Sequence, residues 1–311
     1  MVRVMRSLHR ILAWAFAASL AAGAAQAGSP QRPVVVELFT SQGCSSCPPA
    51  DVLLGRLAQR PGVIAISLPI TYWDMLGWKD TLASEANTRR QKAYAAAMGH
   101  GGVYTPQIIV DGVTDVVGSR VGSVEAAIAE RRAELAQFQA VFAQGEAMRA
   151  QAHAVRAAMD AERAAEAASR ATPAAMPVPA VPAMPAVPVP SFTANVDPIV
   201  PVSLRETPQD MHIDIGAVPG APNATVWMFQ LRSAVSVNIP SGENAGRTIT
   251  YRNVAGDLRA VGVYKGKALS LTLPKAGGVP HDGVAVVVQQ GGFGHVLGAA
   301  MISRPDYYAE Q

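Results

Sequence analysis

The stretch Val34-Val35-Val36-Glu37-Leu38-Phe39-Thr40-Ser41-Gln42-Gly43-Cys44-Ser45-Ser46-Cys47-Pro48-Pro49-Ala50-Asp51 says most about how this chain folds. Val34 to Phe39 is apolar except for Glu37, the composition of a buried parallel strand. Thr40 to Gly43 reads as a turn leading into Cys44. Pro48 and Pro49 suit a first helical turn, where a missing N–H does no harm. Val52, Leu53, Leu57 and Ala58 then supply an apolar face, and Pro61-Gly62 ends the helix.

Working outward, Val63 to Leu68 is the next strand, and a second helix starts near Ser84-Glu85 and ends at Gly99. Gln107 to Val110 is a third strand, turned by Asp111-Gly112. Strand, helix, strand, helix, strand is the pattern of an α/β layer, and residues 28–122 are assigned to it.

Residues 123–171 change character. The stretch is dense in Ala, Glu, Arg and Gln without Pro until Ala171, so helix propensity is high throughout. Its larger apolar residues (Ile128, Leu135, Phe138, Phe142, Met148, Val155, Met159) fit heptads only in patches. A hairpin broken near Gly145, a partly solvated single helix and a coiled coil all remain open. Residues 172–197 are rich in Ala, Val, Met and Pro, the composition of an extended linker. Residues 198–311 hold short strand-like runs: Val202 to Arg205, Met211 to Ile215, Thr225 to Leu231, Val235 to Ile239, Leu269 to Leu273 and Val284 to Gln290. Their spacing suggests an all-β, sandwich-like domain, with one helix interrupting it over Tyr251 to Gly262.

At the N-terminus, Arg3, Arg6 and Arg10 precede an apolar Ile11 to Leu20, and Ala25-Gln26-Ala27 offers a small-x-small cleavage site. Residues 1–27 therefore read as a signal peptide cleaved after Ala27, which implies a periplasmic or secreted protein with no membrane span afterwards. The full chain has 26 Lys and Arg against 23 Asp and Glu, a net charge of +3. The excess lies entirely in the three signal arginines. A neutral mature chain without a basic block gives no electrostatic reason to expect nucleic acid.

The chain has two cysteines, three positions apart. A bridge over so short a loop is a poor staple, about 2 kcal/mol by the chain-entropy estimate against about 3 for a 15-residue loop. Redox exchange and metal binding are the better uses. Exchange needs a thiolate nucleophile and a second thiol to resolve the mixed disulfide. A Cys-x-x-Cys at a helix N-terminus meets both needs, because the helix end lowers the first thiol's pKa. Cys44 is thus the expected nucleophile and Cys47 the resolving thiol; the alternative is an inert disulfide.

Thr105-Pro106 directly precedes the third strand, where thioredoxin-like folds hold a cis proline against the dithiol. Only about 5–6% of X–Pro bonds are cis, so the topology alone argues for it. Glu37 is a candidate to exchange a proton with Cys47 through water; the alternative is an ordinary strand residue. Tyr72, Trp73, Trp78 and Tyr104, with Thr105, are candidates for a peptide groove beside the dithiol, against the alternative of plain packing. Asp74, Lys79 and Asp80 read as turn and cap residues. Two thiolates plus an imidazole would suit Cu(I) or Zn(II), and His100 is the nearest candidate in sequence. His100 sits in a Gly-rich turn, however, and His212, His281 and His295 show no ligand spacing. Gly242 to Arg247 has turn chemistry, with charges able to meet the first domain.

Glu37 to Asp51 resembles the signature of the secreted proteins grouped as domain of unknown function 1223. Tyr72-Trp73-Asp74 with Leu76-Gly77-Trp78-Lys79-Asp80, and Val103-Tyr104-Thr105-Pro106-Gln107, resemble it further. So do Gly242-Glu243-Asn244-Ala245-Gly246-Arg247 and Thr250-Tyr251-Arg252-Asn253-Val254. The resemblance implies a thioredoxin-like fold and export; the family has no settled activity. Leu68-Pro69-Ile70-Thr71 departs from the His- and Asp-containing stretch that the resemblance leads one to expect, and the Ala-rich helix plus Pro spacer is longer than usual.

The sequence therefore suggests a thioredoxin-like α/β domain, a long Ala-rich helix, a Pro-rich linker and a sandwich-like domain. The expected function is a thiol–disulfide oxidoreductase with no cofactor, acting on protein thiols or disulfides of the cell envelope together with a redox partner. A metal chaperone and a non-catalytic binding module with a vestigial dithiol are the rivals.

Overall fold

The computed structural model describes residues 32–169, 198–275 and 281–303. The expected signal peptide and the whole of the expected Pro-rich linker lie outside the described residues.

The strand read at Val34 is β1 (Val34–Thr40), buried along its whole length as its composition requires. The turn after it leads into α1 (Pro48–Leu57), which starts at Cys47 and carries its prolines in the first turn. Next come β2 (Val63–Pro69), α2 (Glu85–Ala97), β3 (Gln107–Val110) and β4 (Thr114–Val117). The Ser84 hydroxyl caps α2 by accepting a hydrogen bond from Asn87 N at 3.2 Å, and Gly99 leaves the helix with φ +73°. That is the stop that only glycine takes without strain. The Ala-rich segment is one uninterrupted helix, α3 (Val121–Ser169), so the hairpin broken at Gly145 is not formed.

β5 (Val202–Glu206), β6 (Asp210–Ile215), β7 (Ala224–Ile239), β8 (Arg247–Tyr264), β9 (Leu269–Pro274), β10 (Gly283–Gln290) and β11 (Val296–Ser303) complete the chain. Two expectations need correction here. Tyr251 to Gly262 is not a helix but the middle of β8, which pairs with β7 along its length. Gly256 and Gly262 weaken a helix, and the long ladder to β7 gives the backbone groups on that edge their partners instead. Nor do residues 198–311 pack as a separate domain.

The reason is a continuous sheet. Eight strands run in the order β11-β10-β7-β8-β2-β1-β3-β4, and the join between the halves is β2 against β8 in parallel at Ser67 and Val254. Asn253, at φ +46°, donates its side-chain amide to Ala65 O at 2.9 Å and fixes this junction. Residues from Arg32 onward form one compact unit. The fold is mixed α/β with a large sheet and a long helix.

Alternation along β1 divides the core. Val34, Val36 and Leu38 pack with Leu53, Leu54 and Leu57 of α1 and with Val124 and Ile128 of α3. Val35 and Phe39 pack with Tyr94 of α2 and with Phe229, Ala285 and Val287 of the later strands. The small sheet β5-β6-β9 buries Ile213 and Ile215 against Val226, Met228, Val284 and Val286. This stacking is what remains of the expected sandwich, fused to the α/β part.

The β7–β8 hairpin outruns the rest of the sheet. β10 pairs with β7 only over Ala224 to Leu231, whereas β7 and β8 continue together to Ile239 and Arg247. This two-stranded arm carries the turn of residues 240–246.

Candidate functional site

Cys44 and Cys47 form a disulfide with Cα atoms 5.4 Å apart. Local hydrogen bonds build its turn: Cys44 N donates to Ser41 O at 3.1 Å, and Cys47 N to Cys44 O at 3.2 Å. Cys47 is the residue at the head of α1, and its carbonyl accepts from Ala50 N and Asp51 N at 2.8 and 3.1 Å. Both half-cystines are buried, at 1% and 0% exposure, while Ser45 and Ser46 face solvent. The Cys44 sulfur lies 3.4 Å from Ser46 Oγ.

Two loops brace the turn. Asp80 Oδ2 accepts from Gln42 N at 2.8 Å, and the Trp78 indole N–H donates to Gln42 Oε1 at 2.8 Å. The Asp80 backbone N–H donates in turn to Asp74 Oδ1 at 3.0 Å, so both carboxylates are the turn residues expected. The other brace is the tip of the β7–β8 arm. Asn244, buried, donates its amide to both Gln42 O and Cys44 O at 2.9 Å. Glu243 Oε2 accepts from Ser45 N at 3.0 Å, and Ser241 Oγ donates to Gly77 O at 2.8 Å. Gly242 sits at φ +81°, and a Cβ there would come within 3.0 Å of Trp78 Cβ. The arm's turn needs a glycine on both counts. Hydrogen bonds from Ser45 hold the Glu243 carboxyl below its ordinary pKa.

The aromatic candidates divide. Trp73 crosses from the dithiol turn to the proline loop: its indole N–H donates to Thr105 Oγ1 at 2.7 Å, and a Cβ on Gly43 would lie 3.2 Å from Trp73 Cβ. The Thr105–Pro106 peptide is cis, as expected. Pro106 converges with Ala50 of α1 and Leu38 of β1 on Gly118, each within 3.3 Å of where a Cβ would stand. Tyr72, beside Trp73, packs on the second core cluster. Tyr104 faces away to Asp115, to which its hydroxyl donates at 2.9 Å. Trp73, Trp78, Thr105 and Pro106 thus belong to the dithiol's surroundings, whereas Tyr104 is tied to Asp115.

Glu37 needs a correction. It stands on the α2 side of the sheet, opposite α1, because β1 alternates. Its carboxylate is held by the Arg90 guanidinium at 2.5 and 2.9 Å and by the Tyr94 hydroxyl at 2.6 Å. Arg90 also donates to Gln289 Oε1 at 3.0 Å, under the rings of Trp227, Phe229 and Phe293. This is a buried ion pair tying α2, β1 and β10 together, not a proton exchanger for Cys47.

The buried acid on the dithiol's side is Asp51. It lies one helical turn beyond Cys47, on the same face of α1. Oδ1 accepts from Thr40 Oγ1 at 2.8 Å, and Oδ2 has no hydrogen-bond partner. Burial holds the Asp51 carboxyl well above the usual range; the Thr40 hydrogen bond opposes this and the charge of Asp80 adds to it. Tyr251 of β8 is buried with its hydroxyl also unpartnered, and burial together with the charges of Asp51 and Asp80 pushes its pKa up. Asp51 and Tyr251 stand in the stretches Glu37 to Asp51 and Thr250 to Val254, and residue type alone assigns neither a role. The available signal was an acid four residues after Cys47 on a helix whose neighbours are apolar.

No group of three or more His, Cys, Asp or Glu among the described residues is placed to hold a metal ion. His100 Nε2 lies 3.2 Å from Asp115 Oδ1 at the surface. No helix among them is long and apolar enough to cross a membrane.

The sequence profile of a protein family of unknown function, DUF1223, matches residues 35–176 and 190–289. The chain belongs to the DUF1223 family. Both braces of the disulfide and the arm fall within the matched residues. Among solved structures, this DUF1223 chain is similar to protein AGR_C_4864 from Agrobacterium tumefaciens, with 29% identity and a TM-score of 0.59. That match covers 87% of this chain and 93% of the other. HBP35 of Porphyromonas gingivalis matches at 11% identity and a TM-score of 0.48, over 89% of this chain and 76% of its own. No curated protein matches.

Proposed function

We propose that this DUF1223 protein is an exported thiol–disulfide oxidoreductase that works through Cys44 and Cys47, with residues 32–120 serving as a thioredoxin-like half. The observation that carries the reading is the disulfide at the head of α1, where the helix end favours a thiolate on Cys44. A buried acid with an unpartnered oxygen on the same helix face adds to it, since enzymes keep such groups where protons move.

Starting from the disulfide, a substrate thiolate attacks Cys44 Sγ and the Cys44–Cys47 bond breaks. Its electron pair goes to Cys47 Sγ, which takes up a proton, and Asp51 is a proton-holding group on that helix face. A second substrate thiolate then attacks the substrate sulfur of the mixed disulfide and releases Cys44 as a thiolate. The substrate leaves oxidised and the protein is left as the dithiol. The reverse sequence reduces a substrate disulfide.

Burial of Cys44 favours a second reading, a structural clip in a binding module. Trapping separates the two. Cys47→Ser removes the resolving thiol, so an oxidoreductase accumulates mixed disulfides through Cys44 with envelope proteins. A clip accumulates none, and Cys44→Ser then leaves partner capture unchanged.

A further inference from the structure

α3 is anchored over its first third only. Val124, Ala127, Ile128 and Leu135 lie in the core with β1 and α1, and Phe138 is the last buried residue. From Ala140 to Ala168 every side chain but that of Gly145 is exposed, along roughly 45 Å of helix at 1.5 Å per residue. Val141, Met148, Val155 and Met159 stand 64%, 70%, 54% and 42% exposed.

These residues follow a seven-residue repeat. Gly145-Glu146-Ala147-Met148-Arg149-Ala150-Gln151 is followed by Ala152-His153-Ala154-Val155-Arg156-Ala157-Ala158 and by Met159-Asp160-Ala161-Glu162-Arg163-Ala164-Ala165. The fourth residue is Met148, then Val155, until Glu162 closes the series; the fifth is always Arg, the third and sixth always Ala. Phe138, Val141, Gly145, Met148, Ala152, Val155 and Met159 alternate steps of three and four. A lone helix turns every 3.6 residues and drifts about 20° per heptad from such a stripe, so the strict repeat fits a supercoiled partner.

The flanks say which partner and which direction. Beside the seam run Arg149, Arg156 and Arg163 on one flank and Gln137, Gln144 and Gln151 on the other. Against a second, parallel copy, Gln144 faces the partner's Arg149 and Gln151 faces the partner's Arg156, with each amide carbonyl able to accept from a guanidinium. An antiparallel copy centred on Arg156 would set Arg156 against its own equivalent and Arg149 against Arg163, like charges along that flank. Gly145 and Ala152 let the two backbones approach closely.

We propose that Val141 to Met159 of α3 forms a parallel two-stranded coiled coil with a second copy of this chain. The proposal does not depend on the redox reading. Sedimentation equilibrium of the full chain tests it, with the Cys44–Cys47 disulfide intact. The mass is expected to rise with concentration toward twice that of the chain, and Met148→Arg with Val155→Arg to hold it at one chain with an unchanged circular dichroism spectrum. Direction is read by copper-catalysed oxidation: Met148→Cys, which meets its own equivalent only in the parallel arrangement, links two copies, and Ala157→Cys, on the outer face, does not. A monomer at every concentration overturns the proposal, whether the seam is bare or covered by another part of the chain. A dimer that Met148→Cys fails to link overturns the parallel arrangement.

Discussion

Asp51 and Glu243 are the residues whose chemistry bears most on the disulfide. An acid whose folded pKa is raised is most stabilising, relative to its ionised form, at low pH. That contribution is full below the unfolded carboxylate range and is lost as pH rises through the raised folded value. Native Asp51 therefore weakens the protein toward neutral pH. Asp51→Asn is expected to be more stable by about 1–3 kcal/mol at pH 8, the scale of a relieved buried polar group, and to flatten the pH dependence. Urea melts between pH 4 and 8 check this; an Asp51→Asn protein that is less stable at pH 8 would remove Asp51 from the account. Glu243 sets a negative charge beside Cys44 by holding Ser45 N–H. An N–H shared with a carboxylate supports a thiolate less. Glu243→Gln is expected to lower the Cys44 pKa and shift the thiol–disulfide equilibrium toward the reduced protein, roughly twofold given its exposure. Thiolate absorbance against pH reads the first effect and glutathione buffers the second.

Among the elements, the β7–β8 arm is the one whose part in the site was hardest to read. Strand, turn and helix around Cys44 were legible because proline placement, apolar runs and capping are local signals. Ser84, Gly99 and the Asp111-Gly112 turn were legible for the same reason. The arm was not, because β7 and β8 pair over many residues and nothing local separates a long hairpin from two short strands. Only the turn chemistry of Gly242 to Arg247 hinted that it meets the first domain, and nothing pointed to the dithiol. Asn244 bridges the carbonyls on both sides of this turn, and its loss leaves Gln42 O and Cys44 O without those bonds. Asn244→Ala is expected to cost about 1–3 kcal/mol and to speed reduction of the disulfide by a bulky protein reductant more than by dithiothreitol. Stopped-flow reduction with both reagents checks this. Equal acceleration with the two would mean that the arm braces the turn without screening it.

At the scale of the described molecule, one sheet joins β1 to β4 with β7, β8, β10 and β11. The division expected near residue 197 rests on composition, whereas the two sides meet in one sheet at the β2–β8 bridge, through Gln289 against Arg90 and Tyr94, and in a shared core. Glu37 was visible as a lone acid in an apolar strand, but its surroundings were not, because Arg90 and Tyr94 come from α2 and Gln289, which they contact, from the distant β10. Arg90→Ala leaves that carboxylate buried and unpaired, a loss of about 3–5 kcal/mol. Unfolding is expected to remain a single transition, with Trp227 fluorescence and far-ultraviolet circular dichroism coinciding; separate transitions would restore two independent domains.

The redox equilibrium of Cys44 and Cys47 tests the central claim most directly, through the fraction of alkylated thiol across dithiothreitol and glutathione buffers. An oxidoreductase is expected to titrate reversibly with a midpoint between about −270 and −120 mV. A disulfide that stays closed below about −300 mV would contradict the claim and leave a structural clip in its place.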